Sequence, residues 1–157
     1  RWKDFDFNLH FQGAGKSNVQ ILGKNVFAFR ENQWGNVFKG MVDDRWISAD
    51  ISGTTATENP NASYPRLTYG ANNNNEQAST FWLRDMSYLR LKNLDFGYTL
   101  PKSIVNKIHF NTVRFYITGT NLLTWSDFDT WDPESLQQRG EEYPLTKSVT
   151  VGVQVNL

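Results

Sequence analysis

The chain has 157 residues, 39% of them hydrophobic and 20% charged, and no run near the ~20 apolar residues that a membrane-spanning helix needs; this excludes a helical membrane protein but leaves a membrane barrel open, because barrel strands alternate apolar and polar side chains. Sixteen basic residues balance sixteen acidic ones, which gives no support to a nucleic-acid partner or a polybasic anchor. The lack of cysteine removes disulfides, thiolate nucleophiles and cysteine zinc sites, and 15% aromatic residues point to a β-core, a carbohydrate-stacking surface or the girdles of a barrel.

No basic and apolar leader opens the chain, so it is read as starting in mid-protein. The first element is Phe5-Asp6-Phe7-Asn8-Leu9-His10-Phe11-Gln12, whose faultless alternation predicts a strand over about 4–13 with one apolar and one polar face. Residues 14–80 lose this periodicity. They carry Gly, Asn, Ser, Thr and Pro clusters, the run Asn72 to Asn75, and the breakers Asn59-Pro60 and Tyr64-Pro65, which predict a long loop with a short helix around 24–38.

Alternation returns over 81–100 with a fault, since Leu89 and Leu91 stand on odd positions but Leu94, Phe96, Tyr98 and Leu100 on even ones. One extra residue flips side-chain parity, so a β-bulge is expected near Lys92-Asn93. Pro101 ends the strand, and 101–111 forms a short connection in which Ile104, Val105 and Ile108 allow one helical turn. Strand 112–124 sets Val113, Phe115, Ile117 and Gly119 against Arg114, Tyr116, Thr118 and Thr120. An acidic, Trp-bearing loop covers 125–144. The last strand, 145–157, sets Val149, Val151, Val153, Val155 and Leu157 against Thr150, Gly152, Gln154 and Asn156.

The order of strand, very long loop, strand, short turn, strand, loop, strand matches barrels with short periplasmic turns and long extracellular loops. It assigns 101–111 to the periplasm and both 14–80 and 125–144 to the cell exterior. Membrane barrels need about eight strands to close, so four must belong to a larger wall. A strand that alternates to an apolar last residue suits a barrel end, although a terminal Phe would be a stronger signal than Leu157.

The runs Ala78-Ser79-Thr80-Phe81-Trp82-Leu83-Arg84-Asp85, Ser87-Tyr88-Leu89-Arg90-Leu91-Lys92-Asn93 and Gly97-Tyr98-Thr99-Leu100-Pro101 closely resemble the C-terminal region of the SusC/RagA family. So do Asn121-Leu122-Leu123-Thr124-Trp125, Trp131-Asp132-Pro133-Glu134 and Tyr143-Pro144-Leu145, and more loosely Asp44-Arg45-Trp46, Glu58-Asn59-Pro60 and Tyr64-Pro65-Arg66. The resemblance implies an all-β fold: the C-terminal four antiparallel strands of a transmembrane barrel of about 22 strands with a plugged lumen, set in a Gram-negative outer membrane as a multi-pass β-barrel. It also implies a TonB-dependent receptor that imports oligosaccharides or peptides with a SusD-like surface lipoprotein, driven by the TonB complex through an N-terminal part absent here. The partners implied are the remainder of the same barrel and its plug, that lipoprotein, TonB, the cargo and the lipid bilayer, with no nucleic acid and no cofactor.

Asp127, Asp129, Asp132 and Glu134 offer oxygen ligands, but a calcium loop begun at Asp127 would need Gly where Asp132 stands and Glu where Gln138 stands, so a solvated acidic loop is the expectation and no metal site is assigned. Trp34, Trp46, Trp125 and Trp131 are candidate ligand-stacking residues, against a competing role in packing loops or forming the outer girdle. Phe96 and Tyr98 are expected at the periplasmic girdle. The polar residues Asp6, Asn8, His10, Arg114, Tyr116, Thr118, Thr150, Gln154 and Asn156 are expected to face the lumen. No nucleophile elbow, zinc-protease or phosphate-loop motif occurs and no catalytic residue is assigned, so an enzyme is not expected. The competing function is a soluble β-sandwich carbohydrate-binding module. The apolar face of the last strand discriminates: a sandwich buries it against a second sheet, and a barrel turns it to lipid.

Overall fold

Period-2 alternation of aromatic and β-branched residues against polar ones builds the largest element of the computed structural model, a four-stranded antiparallel sheet. Its strands are β1 (Phe5–Ala14), β4 (Tyr88–Thr99), β5 (Thr112–Trp125) and β6 (Ser148–Asn156), paired in the order β1-β4-β5-β6. A second, two-stranded sheet pairs β2 (Asn18–Gln20) with β3 (Leu83–Asp85). The structure describes residues 2–23, 25–30, 37–49, 58–136 and 138–157, and the chain divides into two units. One unit comprises Arg1–Ser17, Met86–Glu134 and Tyr143–Leu157, and the other Asn18–Asp85 and Ser135–Glu142.

Within the sheet unit the parity fault is resolved by a bulge. His10 pairs with Asn93 and Phe11 with Leu91, so Lys92 is an extra residue relative to β1. On the other side Leu91 pairs with Leu123 and Asn93 with Thr120, leaving Asn121 and Leu122 opposite the single Lys92. Asn121 takes a left-handed φ of 52°, a conformation that Asn tolerates better than most residues. Both hydrophobic phases of β4 therefore end on one face. Rows such as Phe7–Phe96–Ile117–Val151 and Phe5–Tyr98–Phe115–Val153 run across all four strands.

The long strand expected over 81–100 is shorter at its start. Thr80–Trp82 is a 3-10 turn and β3 breaks off before Met86, because Trp82 is buried in the loop unit and its backbone carbonyl accepts Ile21 N–H at 2.9 Å. The last strand likewise begins at Ser148 rather than 145. In the connection, α2 (Lys102–Val105) is the expected helical turn, and it follows α1 (Lys39–Asp43) of the loop unit in chain order. The helix expected around 24–38 lies partly outside the described residues, and 25–30 form turns.

The loop unit has its own core of Ile21, Val26, Phe27, Met41 and Trp82. Phe27 meets the Trp82 ring edge to face at 4.9 Å, and Trp82 Nε1 donates to the Asn75 carbonyl at 2.7 Å. Side chains tie the Asn run to itself: the Asn72 side-chain carbonyl accepts Asn75 N–H, and the Glu76 carboxylate accepts Asn72 N–H and pairs with Arg30 at 3.3 Å. Asp44 ties two stretches of loop together by accepting Ser63 N–H at 3.2 Å and Asn59 Nδ2–H at 3.4 Å. The Ser63 bonds hold its carboxyl below the ordinary carboxylate value. Asp44→Ala is expected to raise amide exchange across 58–64 without altering exchange in β5 and β6, as measured by hydrogen–deuterium exchange.

Candidate functional site

The two faces of the sheet differ in chemistry. On the apolar face Phe7 is 58% exposed and Val151 76%, and among the described residues no second sheet covers them. The sandwich alternative requires burial of that face, and the described residues do not supply it. Leu89 to Tyr98 on β4 spans about 30 Å at ~3.4 Å per residue. Tilted by ~40°, this gives about 23 Å, close to the ~25 Å apolar band of outer-membrane barrels. Aromatic rings cluster at both limits: Phe11 with Trp125 at 6.5 Å, and Phe5 with Tyr98 at 4.7 Å, Phe96 at 5.8 Å and Trp2 at 6.4 Å.

The opposite face gathers the residues expected to line the lumen. Asn8, Asp95, Thr118 and Thr150 form one row across the sheet, and His10, Asn93, Thr120 and Ser148 another. Gln154 stands opposite Arg114, and Asn156 opposite Thr112. Arg114 reaches over Gly97 to Asp6 on β1, with Nε–Oδ1 at 3.1 Å and Nη2–Oδ2 at 2.5 Å. A Cβ at Gly97 would stand 2.4 Å from that guanidinium, and one at Gly152 2.4 Å from the Tyr116 ring. Both glycines are seats for a neighbour's side chain. Gly97→Ala is expected to cost about 1–3 kcal/mol by overpacking. It should also bring the Asp6–Arg114 coupling close to zero in a double-mutant cycle read from denaturant midpoints.

The bulge creates a second arrangement that the sequence did not reveal. Arg90, 2% exposed, and Lys92 lie side by side and grip the acidic loop after β5. Arg90 Nη2 donates to Asp132 Oδ1 at 2.6 Å and Nη1 lies 3.3 Å from Glu134 Oε2. Lys92 Nζ donates to Glu134 Oε1 at 2.7 Å, and Gln12 Nε2 to the same oxygen at 3.0 Å. The expected solvated loop is therefore an ion-paired strap at Asp132 and Glu134, two of the four carboxylates weighed as calcium ligands, which are taken by cations of β4. Burial works to raise the Asp132 carboxyl, but the Arg90 hydrogen bond, the Glu134 N–H and the Arg90 charge outweigh it and hold the group below the ordinary value. Two cations flanking a parity fault were the available signal. Their partners lie 42 residues on, beyond any local pattern.

The tryptophans separate. Trp34 lies outside the described residues. Trp125 ends β5 on the apolar face opposite Leu89. Trp131 packs edge to face on Phe128 at 4.9 Å in the loop after β5. Trp46 opens on a groove, which it shares with Tyr64 and Phe81.

No protein-family model matches the chain. A curated protein of Formosa agariphila, TonB-dependent receptor P3, is 33% identical over 135 residues, covering 86% of this chain and 12% of that relative. The chain belongs to the TonB-dependent receptor family. TonB-dependent receptor P26 of the same organism is 27% identical over 166 aligned positions, covering 98% of this chain and 16% of the relative. Among solved structures, the RagAB peptide importer in its open-open state superposes with a TM-score of 0.72 at 25% identity, over 99% of this chain and 16% of that one. The closed-closed state gives 0.69 at 24% identity, over 98% and 16%. This family member thus spans 12% to 16% of the length of the proteins it resembles.

Proposed function

We propose that the chain supplies four neighbouring strands and part of the extracellular loops of an outer-membrane, TonB-dependent importer. The observation that carries this reading is the sheet itself: one face is apolar, uncovered and tall enough for a bilayer, and the other is polar and crossed by hydrogen-bonded ion pairs. Among the described residues, edge strands β1 and β6 are each paired on one side only, which suits continuation into a wall of about 22 strands closed around a plug.

The short connection through α2 is the periplasmic turn, and the loop unit and the Asp132–Glu134 strap lie on the outer side. Asp6, Asn8, His10, Arg114, Tyr116, Thr118, Thr150, Gln154 and Asn156 then line the lumen, where they meet water and the plug. Cargo is an oligosaccharide or a peptide received together with a SusD-like lipoprotein; the likeness to the RagAB peptide importer supports the transport class. The segment has no catalytic role. Fractionation of cells that make the full-length protein tests the reading: it should resist alkaline extraction with the outer membrane, migrate faster on gels unheated than boiled, and lose uptake when TonB is deleted. Recovery as a soluble, monodisperse protein in plain buffer would overturn it.

A further inference from the structure

Trp46, Tyr64 and Phe81 meet at an open groove of about 500 Å³ in the loop unit, a volume within the range of small-ligand sites. Its aromatic wall is preorganised. Trp46 N–H donates to the Tyr64 carbonyl at 2.8 Å and Tyr64 N–H to the Asp44 carbonyl at 3.1 Å, which fixes the two residues to each other. Phe81 is held edge to face by Tyr64 at 6.1 Å and by the buried Trp82 at 4.7 Å. Even so, Trp46 and Phe81 remain 38% and 37% exposed, so a ligand meets ready-made faces and little ordering cost.

The polar lining is rich in donors. Ser63, Ser79, Asn74 and Asn75 contribute hydroxyls and amides, Arg66 contributes a guanidinium, and no carboxylate lines the groove among the described residues. Arg66 is exposed and has no ion pair or hydrogen bond within the described chain. A second cation, Arg84, stands 5.9 Å from the Phe81 ring centroid. The carboxylate of Asp44, close by in the fold, is occupied by Ser63 and Asn59. The one β-bridge at the described lining, Tyr64 with Arg45, has the Tyr64 N–H and carbonyl already taken by Asp44 and Trp46, which leaves no ladder edge there for an extended peptide. Flat aromatic faces, amide and hydroxyl groups and an unpaired guanidinium together match sugar rings that carry acid groups.

We propose that this groove binds an acidic oligosaccharide, with a ring stacked on Trp46 and a carboxylate or sulfate held by Arg66. The proposal rests on the import reading only for the source of the ligand, since binding is measured on purified full-length protein in detergent. Isothermal titration would compare a hexagalacturonate, a sulfated galactan of similar length, neutral maltohexaose and hexaglutamate. At least one acidic glycan is expected to bind, and both Arg66→Ala and Trp46→Ala to weaken it by about tenfold or more, while Arg66→Lys recovers part of the loss.

Unchanged gel migration of unheated variants would verify that the barrel is folded. The proposal is overturned if neither acidic glycan binds, if maltohexaose or hexaglutamate binds as tightly as the better acidic glycan, or if either alanine variant binds like the parent. Outer-membrane extraction and TonB dependence are read separately, so failure here leaves the import reading standing and failure there leaves the groove's affinity standing.

Discussion

Leu9→Arg is expected to prevent stable assembly of the wall, whereas Asn8→Arg, one position away, leaves it intact. Leu9 lies midway along the apolar face, in the row Leu9–Leu94–Gly119–Val149, and is 41% exposed. If that face meets lipid, an arginine near the bilayer midplane costs about 2–4 kcal/mol. Asn8 points to the other side, in the row with Asp95, Thr118 and Thr150, where water and polar partners accommodate a cation at little cost. Denaturant titration of the full-length barrel in lipid, together with the fraction that shows fast unheated migration, measures the contrast. Equal effects at the two positions would argue against a lipid-facing wall.

The second large effect is expected at Arg90. It is buried and bonds to both Asp132 and Glu134, so Arg90→Ala takes the guanidinium from Asp132 and leaves Glu134 to Lys92 and Gln12. Removing one partner from a buried ion pair costs about 3–5 kcal/mol. Lys92→Ala should cost less, because Lys92 is more open to solvent and Arg90 and Gln12 still hold Glu134. Hydrogen exchange over 126–136 is expected to rise sharply in Arg90→Ala and modestly in Lys92→Ala.

The pH response follows from the depressed Asp132 carboxyl. A group whose folded value lies below its unfolded value of about 3.9 contributes stability that is complete above that value and is lost as pH falls through the lower folded one. The strap should therefore remain protected at neutral pH and release only in acid below the ordinary carboxylate range. Release between pH 6 and 8 would contradict the ion-pair account.

The sheet was legible because its information is local. Alternation along Phe5 to Gln12, Thr112 to Thr120 and Val149 to Val155 identifies each strand and its two faces, and the parity change between Leu91 and Leu94 marks the bulge. The loop unit was not legible, since its core comes from Ile21, Val26, Phe27, Met41 and Trp82 at spacings that follow no strand or helix period. Strand β4 begins later than the alternation over 81–100 predicts for the same reason: Phe81 and Trp82 continue an aromatic pattern but pack in the loop unit. The strap depended on contacts between residues far apart in sequence. The candidate tryptophans have the right chemistry for stacking, but the fold places the described ones apart, Trp125 at the end of β5, Trp131 against Phe128 and Trp46 at the groove.

The most direct test of the wall is the environment of successive β6 side chains in the assembled protein. The chain contains no cysteine, so single cysteines in a cysteine-free full-length background can carry nitroxide labels at Val149, Thr150, Val151, Val153, Gln154 and Val155. In lipid vesicles, labels at 149, 151, 153 and 155 should be relaxed by oxygen dissolved in the bilayer, and those at 150 and 154 by a water-soluble nickel complex. Loss of that alternation, or shielding of the odd positions from both relaxants, would contradict the proposed lipid-facing wall.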